Sequence, residues 1–313
     1  MAEKLIRPEG SWVALVTPFD GNGNVDFDCF RRLVDFQAAN GTDGLLFMGS
    51  TGEAPSLTME ERRDIITEMT AYCRGKIPAF HGVTCPTTEA TVELARHADS
   101  LGADGVMMVV PPYIAPPQSG VFEYFKTVCK SIGIAVALYN NPARVIVNIN
   151  PETVVRLFQE CPNLVADKEA VPNVAQLSAV MDGTGGKLKL LCCDAPEYAI
   201  TLPTLAMGGH GTANVSGNVI PKEMAQMSKP WNRWEDVLRS RKLYFENLPV
   251  MEAAYSETNP VAIKAMVKLL GFPVGDPRPP LPGLGAKQMQ SIEELINRLE
   301  LRARYRLQRG RFP

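Results

Sequence analysis

Short apolar or β-branched runs recur along the chain at intervals of roughly 22 to 34 residues: Trp12–Val16, Gly44–Met48, Pro78–Val83, Gly105–Val110, Ile134–Tyr139, Leu164–Lys168, Leu188–Cys192 and His210–Val215. Each has the length of a strand, and helix-like stretches lie between them. A run that is apolar on both faces reads as a strand covered on both sides, as in a parallel sheet, and parallel strands need crossover connections. Eight such units predict an α/β protein, a closed (β/α)8 TIM barrel. A doubly wound open sheet is the structural alternative.

The helices carry their own punctuation. Thr58-Met59-Glu60-Glu61 reads as a capping box opening a helix that runs to about Arg74. Asn150-Pro151-Glu152 supplies an N-cap, a proline at the first helical position and an acid in the first turn. Gly102 and Gly133 are expected to end helices. The units differ in length and sequence, so the period is a βα unit and not a solenoid repeat. From about Ile220 only helical periodicity remains, over Trp231–Phe245, Pro260–Leu270 and Lys287–Leu307. The last two are separated by the stiff connector Pro277-Arg278-Pro279-Pro280-Leu281-Pro282. Trp231 and Trp234 are expected on one helix face, as packing. The chain therefore divides into a (β/α)8 barrel, residues 1–219, and a helical C-terminal extension, residues 220–313.

Composition narrows the possibilities. A chain of 313 residues, 45% hydrophobic, can bury a large core as one barrel or two domains. A formal charge of −2 and a pI near 6.0 give no overall field for nucleic acid or an anionic membrane. The basic stretch Arg302-Ala303-Arg304-Tyr305-Arg306-Leu307-Gln308-Arg309-Gly310-Arg311 reads as a solvated helix end or a subunit contact. Seven scattered cysteines without a CxxC pair fit reduced thiols. His81, His97 and His210 lie far apart without ligand spacing, so a metal is not expected. No basic-then-apolar leader and no membrane-length apolar run are visible, and a cytoplasmic location is expected.

Candidate chemistry gathers at the ends of the strands. The run Asn163-Leu164-Val165-Ala166-Asp167-Lys168-Glu169-Ala170 ends on a lysine. By alternation Leu164, Ala166 and Lys168 share one face, with Val165 and Asp167 on the other. A lysine at the end of a buried strand either snorkels to solvent or is a desolvated amine able to attack a carbonyl. Other strand ends supply Thr17-Pro18-Phe19, Gly49-Ser50-Thr51-Gly52-Glu53, Pro111-Pro112-Tyr113, Tyr139-Asn140-Asn141-Pro142-Ala143-Arg144, and Asn214 with Ser216. Gly49–Gly52 lets backbone N–H groups approach an anion beside two hydroxyls, although a plain turn explains it equally well. Ala135, Ala137 and Tyr139 share a face, leaving room below a phenol. Arg144 is placed either to clamp a carboxylate or to form a surface salt bridge.

Taken in order, Thr17-Pro18-Phe19, Gly49-Ser50-Thr51-Gly52-Glu53, Tyr139-Asn140-x-Pro142, Lys168-Glu169-Ala170 and Gly208-Gly209-His210-Gly211 resemble the dihydrodipicolinate synthase / N-acetylneuraminate lyase family, from about Gly10 to about Leu299. Arg144, and Glu257-Thr258-Asn259-Pro260 with Lys264, lean toward the synthase branch. The resemblance implies a class I lyase that needs no cofactor and no metal, working through a covalent imine on Lys168. It implies Ser50 and Thr51 on the carboxylate of pyruvate or another 2-oxo acid, Tyr139 as proton shuttle, and Arg144 on the carboxylate of an incoming aldehyde, aspartate semialdehyde. Gly49, Gly52, Thr17 and Ala213 are expected in substrate binding. The partners implied are these small molecules and further copies of the chain, in a homotetramer built from dimers with Tyr113 and Ile114 near the tight interface.

Three departures shape the reading. The synthase pattern has two consecutive tyrosines after the fourth strand, where this chain has Tyr113-Ile114. Asp167 replaces an apolar residue and is expected to raise the Lys168 pKa. Glu89 and Tyr113 match the lysine-binding site of some synthases, while Ala54, Pro55, Met59 and Cys85 do not, so feedback inhibition by lysine is not expected. A synthase condensing pyruvate with aspartate semialdehyde is the first reading. A 2-keto acid aldolase or 2-keto-3-deoxy sugar acid dehydratase of the same family is the second, and a non-catalytic 2-oxo-acid binder the third.

Overall fold

Eight parallel strands close on one another in sequence order in the computed structural model, which describes residues 5–306. They are β1 (Gly10–Ala14), β2 (Gly44–Phe47), β3 (Ala79–Gly82), β4 (Gly105–Val109), β5 (Ala135–Asn140), β6 (Leu164–Glu169), β7 (Lys189–Cys192) and β8 (Gly211–Asn214). The barrel closes where β8 pairs with β1, from Gly10 opposite Gly211 to Val13 opposite Asn214. The expected (β/α)8 TIM barrel is present, and the open sheet is excluded by this closure.

Helices alternate with the strands: α1 (Phe27–Ala39), α2 (Met59–Cys73), α3 (Thr88–Ser100), α4 (Gln118–Ser131), α5 (Pro142–Val145), α6 (Pro151–Glu160), α7 (Val174–Gly183), α8 (Thr201–Ala206) and α9 (Pro221–Met227). Beyond them lie α10 (Trp234–Ala254), α11 (Val261–Leu270), α12 (Ala286–Arg298) and α13 (Leu301–Arg304). The Thr58 capping box forms, with Thr58 and Glu61 satisfying each other's backbone N–H groups. Asn150 is the N-cap of α6, but its side chain makes no capping bond. Gly102 takes the left-handed conformation past α3, whereas α4 ends on extended Ile132 and Gly133 needs no positive φ. Because α9 follows β8 and packs on β1, it is the barrel's eighth helix, and the barrel runs past residue 219. Trp231 precedes α10 and donates to Ser240, while Trp234 begins the helix and is exposed; the two do not share a helix face. Residues 307–313, including part of the basic stretch, lie outside the described residues.

Two packed layers surround the sheet. Inside the barrel, Trp12, Leu46, Phe80 and Met107 fill the base with Ala135, Ala137 and Ala166 alongside, the small residues making room below the mouth. Outside it, one continuous core joins the strands' outer faces to all the long helices, α10, α11 and α12 among them. A bulge near Val136 and Ala137 shifts the pairing of β5 and β6. Leu164 consequently belongs to the outer core, while Val165 and Ala166 belong to the inner one. The sharing of one face by Leu164, Ala166 and Lys168 is thus broken at its first residue, and Lys168 still points inward beside Tyr139.

Candidate active site

Lys168 pairs in register with Tyr139 of β5, and its nitrogen lies 4.2 Å from the centre of the Tyr139 ring. It is only 5% exposed and forms no ion pair among the described residues. Burial pushes its pKa down, and the thiol of Cys193 and the carboxylate of Asp194 pull it partly back. The amine is therefore shifted toward the neutral, nucleophilic form rather than snorkelling to solvent. The expected opposition from Asp167 does not arise. Asp167 faces the outer layer, where burial raises its own pKa to about 7, and it is not among the charges acting on Lys168.

The loop after β2 brings two hydroxyls to the same place. Met48 and Glu53 both adopt left-handed backbone, and a Cβ at position 52 would stand 2.9 Å from the Met48 nitrogen, so the turn requires glycine there. Thr17, fully buried, donates to the Gly52 carbonyl at 2.7 Å and fixes the loop from below. Ser50 and Thr51 are left at the mouth with Lys168, Tyr139 and Arg144, all lining one cavity of about 230 Å³. Asn141 donates to the Tyr139 hydroxyl at 2.6 Å, and Asn259 donates to the Thr51 hydroxyl at 3.0 Å. Burial raises the Tyr139 pKa to about 12, with bonds from Asn141 and Ser50 and the charge of Arg144 opposing. Arg144 is exposed and spends one N–H on the Asn259 carbonyl at 3.1 Å, leaving the rest of its fork for an anion.

Five expected site residues thus meet: Lys168, Tyr139, Ser50, Thr51 and Arg144. Gly49 lies on an adjoining cavity of about 640 Å³, which also touches Tyr139 and Arg144. Thr17, Gly52 and Ala213 do not line the lysine cavity; the first two shape the loop and Ala213 is packed inside the barrel. The cavity has further walls that were not among the expected site residues, notably Asn141, Cys193, Tyr255 and Asn259. Asn141 and Asn259 lay within motifs already noted, but Tyr255 comes from the end of α10, which no strand pattern marks. Among the described residues no cluster of His, Cys, Asp and Glu suits a metal. His81 is buried beside Thr70 with its pKa pushed down to about 3, and His210 accepts the Leu190 N–H. No helix among the described residues is long and apolar enough to cross a membrane.

This arrangement has close counterparts. The family model described as "Dihydrodipicolinate synthetase family" matches residues 7–299. The chain belongs to the dihydrodipicolinate synthetase family. Within it, the chain is 34% identical over 293 residues to the 4-hydroxy-tetrahydrodipicolinate synthase of Methanococcus maripaludis, covering 94% of this chain and 99% of that one. The crystal structure of dihydrodipicolinate synthase from Aquifex aeolicus matches with a TM-score of 0.87 at 34% identity, over 94% of this chain and 98% of that one. The 4-hydroxy-tetrahydrodipicolinate synthase of Methylacidiphilum fumariolicum matches with a TM-score of 0.89 at 29% identity, over 96% and 99%. Against this family background the loop after β4 is conspicuous: Tyr113 is 92% exposed and Ile114 60%.

Proposed function

We propose that this chain is a 4-hydroxy-tetrahydrodipicolinate synthase that joins pyruvate to aspartate semialdehyde through an imine on Lys168. The observation that carries the reading is one buried amine without a carboxylate partner, opening onto a cavity with a phenol, two hydroxyls and a guanidinium. Lys168 attacks the keto carbon of pyruvate, and the protonated imine then serves as electron sink while a methyl proton is removed. Ser50 and Thr51 hold the pyruvate carboxylate. Tyr139, kept protonated at neutral pH, donates and recovers protons at the imine and at the new carbon–carbon bond. Arg144 holds the carboxylate of the aldehyde at the rim.

The relatives named above are synthases, which disfavours the aldolase and dehydratase readings. The test is to supply pyruvate with either aspartate semialdehyde or a 2-keto-3-deoxy sugar acid and identify products by mass spectrometry. The cyclised C7 product from the first mixture supports the synthase; turnover of the sugar acid alone overturns it.

The chain is expected to act in the cytoplasm, without a metal or organic cofactor, as a homotetramer of paired dimers. Exposed Tyr113 and Ile114 support an interface at the β4 loop. Sedimentation of the wild type and of Ile114→Asp tests this assembly, which predicts smaller species for the variant. Since Ile114 is no proton donor, delivery at the imine falls to phenols of the chain's own cavity.

A further inference from the structure

Asp194, Tyr255 and Cys193 form a hydrogen-bonded array at the lysine cavity. Asp194 follows β7 and is fully buried. It accepts the backbone N–H of Val215 at 2.8 Å, that of Ser216 at 2.9 Å, and the Tyr255 hydroxyl at 2.5 Å. Three donors on one enclosed carboxylate hold it as a fixed acceptor. Tyr255 stands just past α10, and with Lys168 and Cys193 it lines the cavity. The Cys193 sulfur is 3.5 Å from its hydroxyl oxygen. The Asp194 carboxylate also bears on the Lys168 amine. The phenol therefore bridges an enclosed carboxylate and the chamber in which the amine reacts.

We propose that Tyr255 relays a proton between the Lys168 adduct and Asp194 during imine formation. This deepens the reading above and rests on Lys168 forming the imine. Attack of the neutral amine makes the C–N bond and sends the carbonyl π pair to oxygen, leaving an ammonium nitrogen and an alkoxide. The nitrogen gives one proton to the Tyr255 oxygen as the phenol's own proton moves to Asp194 Oδ1. The return stroke carries the Asp194 proton back to Tyr255, whose other proton passes to the alkoxide. The result is a neutral carbinolamine, with Tyr255 and Asp194 restored. A proton from Tyr139 then expels the hydroxyl as water while the nitrogen lone pair forms the C=N bond. The Tyr139 phenolate recovers its proton from the pyruvate methyl group as the enamine forms. The two phenols thus serve different steps.

The test is rapid-quench trapping of the pyruvate imine with borohydride in wild type, in Tyr255→Phe, and in protein carrying 3-fluorotyrosine at position 255. Tyr255→Phe keeps the ring and is expected to slow imine formation about a hundredfold, the lower range for a lost proton-transfer group, with pyruvate affinity unchanged. The fluorinated phenol keeps the bond to Asp194, and its imine rate is expected to shift with phenol acidity, which a purely structural hydroxyl would not produce. Imine formation at the wild-type rate in Tyr255→Phe, or a rate insensitive to fluorination, overturns the relay alone. A wild type that forms no adduct overturns the imine reading and the relay with it.

Discussion

Two of the described lysines are buried, and they differ in what they face. Lys264 of α11 is fully enclosed, with its nitrogen 2.6 Å from Glu53 and 4.0 Å from the centre of the Phe19 ring. Lys168 sits in a similar way over the Tyr139 ring at 4.2 Å, but with no carboxylate paired to it and with a cavity in front. Burial lowers the pKa of both, and at Lys264 the bonded Glu53 carboxylate opposes that shift. Glu53 also accepts the backbone N–H of Arg278 at 2.8 Å, so the Lys264 site ties the loop after β2 to the C-terminal helices. Desolvation alone therefore does not make a lysine reactive. The missing counter-charge and the open space above the nitrogen do.

The sharpest way to break this contrast is to remove each amine in turn. Lys168→Ala is expected to lose all measurable turnover of pyruvate while melting at or above the wild-type temperature, since it deletes a desolvated group without stranding a partner. Lys264→Ala strands the Glu53 carboxylate in the core and should cost about 3–5 kcal/mol in denaturant unfolding. A Lys264→Ala protein as stable as wild type would dissolve the distinction.

Asp167 and Glu169 extend the contrast to acids on the outer face of the Lys168 strand. Among the described residues neither Asp167 oxygen has a partner, and burial raises its pKa to about 7; Glu169 is raised well above its usual range by burial and by Asp167. Between pH 4 and 7 the folded chain therefore holds a proton at Asp167 that the unfolded chain has released. Stability should fall as pH rises through that window. Asp167→Val is expected to stabilise the protein above pH 7 by on the order of 1 to 4 kcal/mol, and much less at pH 4. Melting curves at the two pH values check this, and equal gains at both would contradict it.

The smallest effect is a reference. Thr58→Ala removes the side-chain cap of α2, outside the walls of the Lys168 cavity, and should cost about 1 kcal/mol, with imine formation unchanged.

The parts legible in the sequence were those set by local pattern. All eight strands read as apolar runs because each is buried on both faces, and Lys168, Tyr139 and Ser50-Thr51 stood out as polar residues at their ends. Boundaries were less legible: β1 begins two residues before Trp12, because Gly10 and Ser11 already pair with β8. The bulge that moves Leu164 outward left no mark, since Leu, Val and Ala suit either face. Long-range partners were invisible for a different reason. Lys264 meets Glu53 across 211 positions, and Tyr255 meets Asp194 across 61, distances at which no spacing rule operates.

The most direct measurement is borohydride reduction in the presence of pyruvate, followed by peptide mass spectrometry of the wild type and of Lys168→Ala. The predicted result is a single adduct on Lys168 that disappears in the variant, with Lys264 unmodified throughout. Pyruvate binding with no adduct on Lys168 would contradict the account and leave a chain that binds a 2-oxo acid without reacting with it.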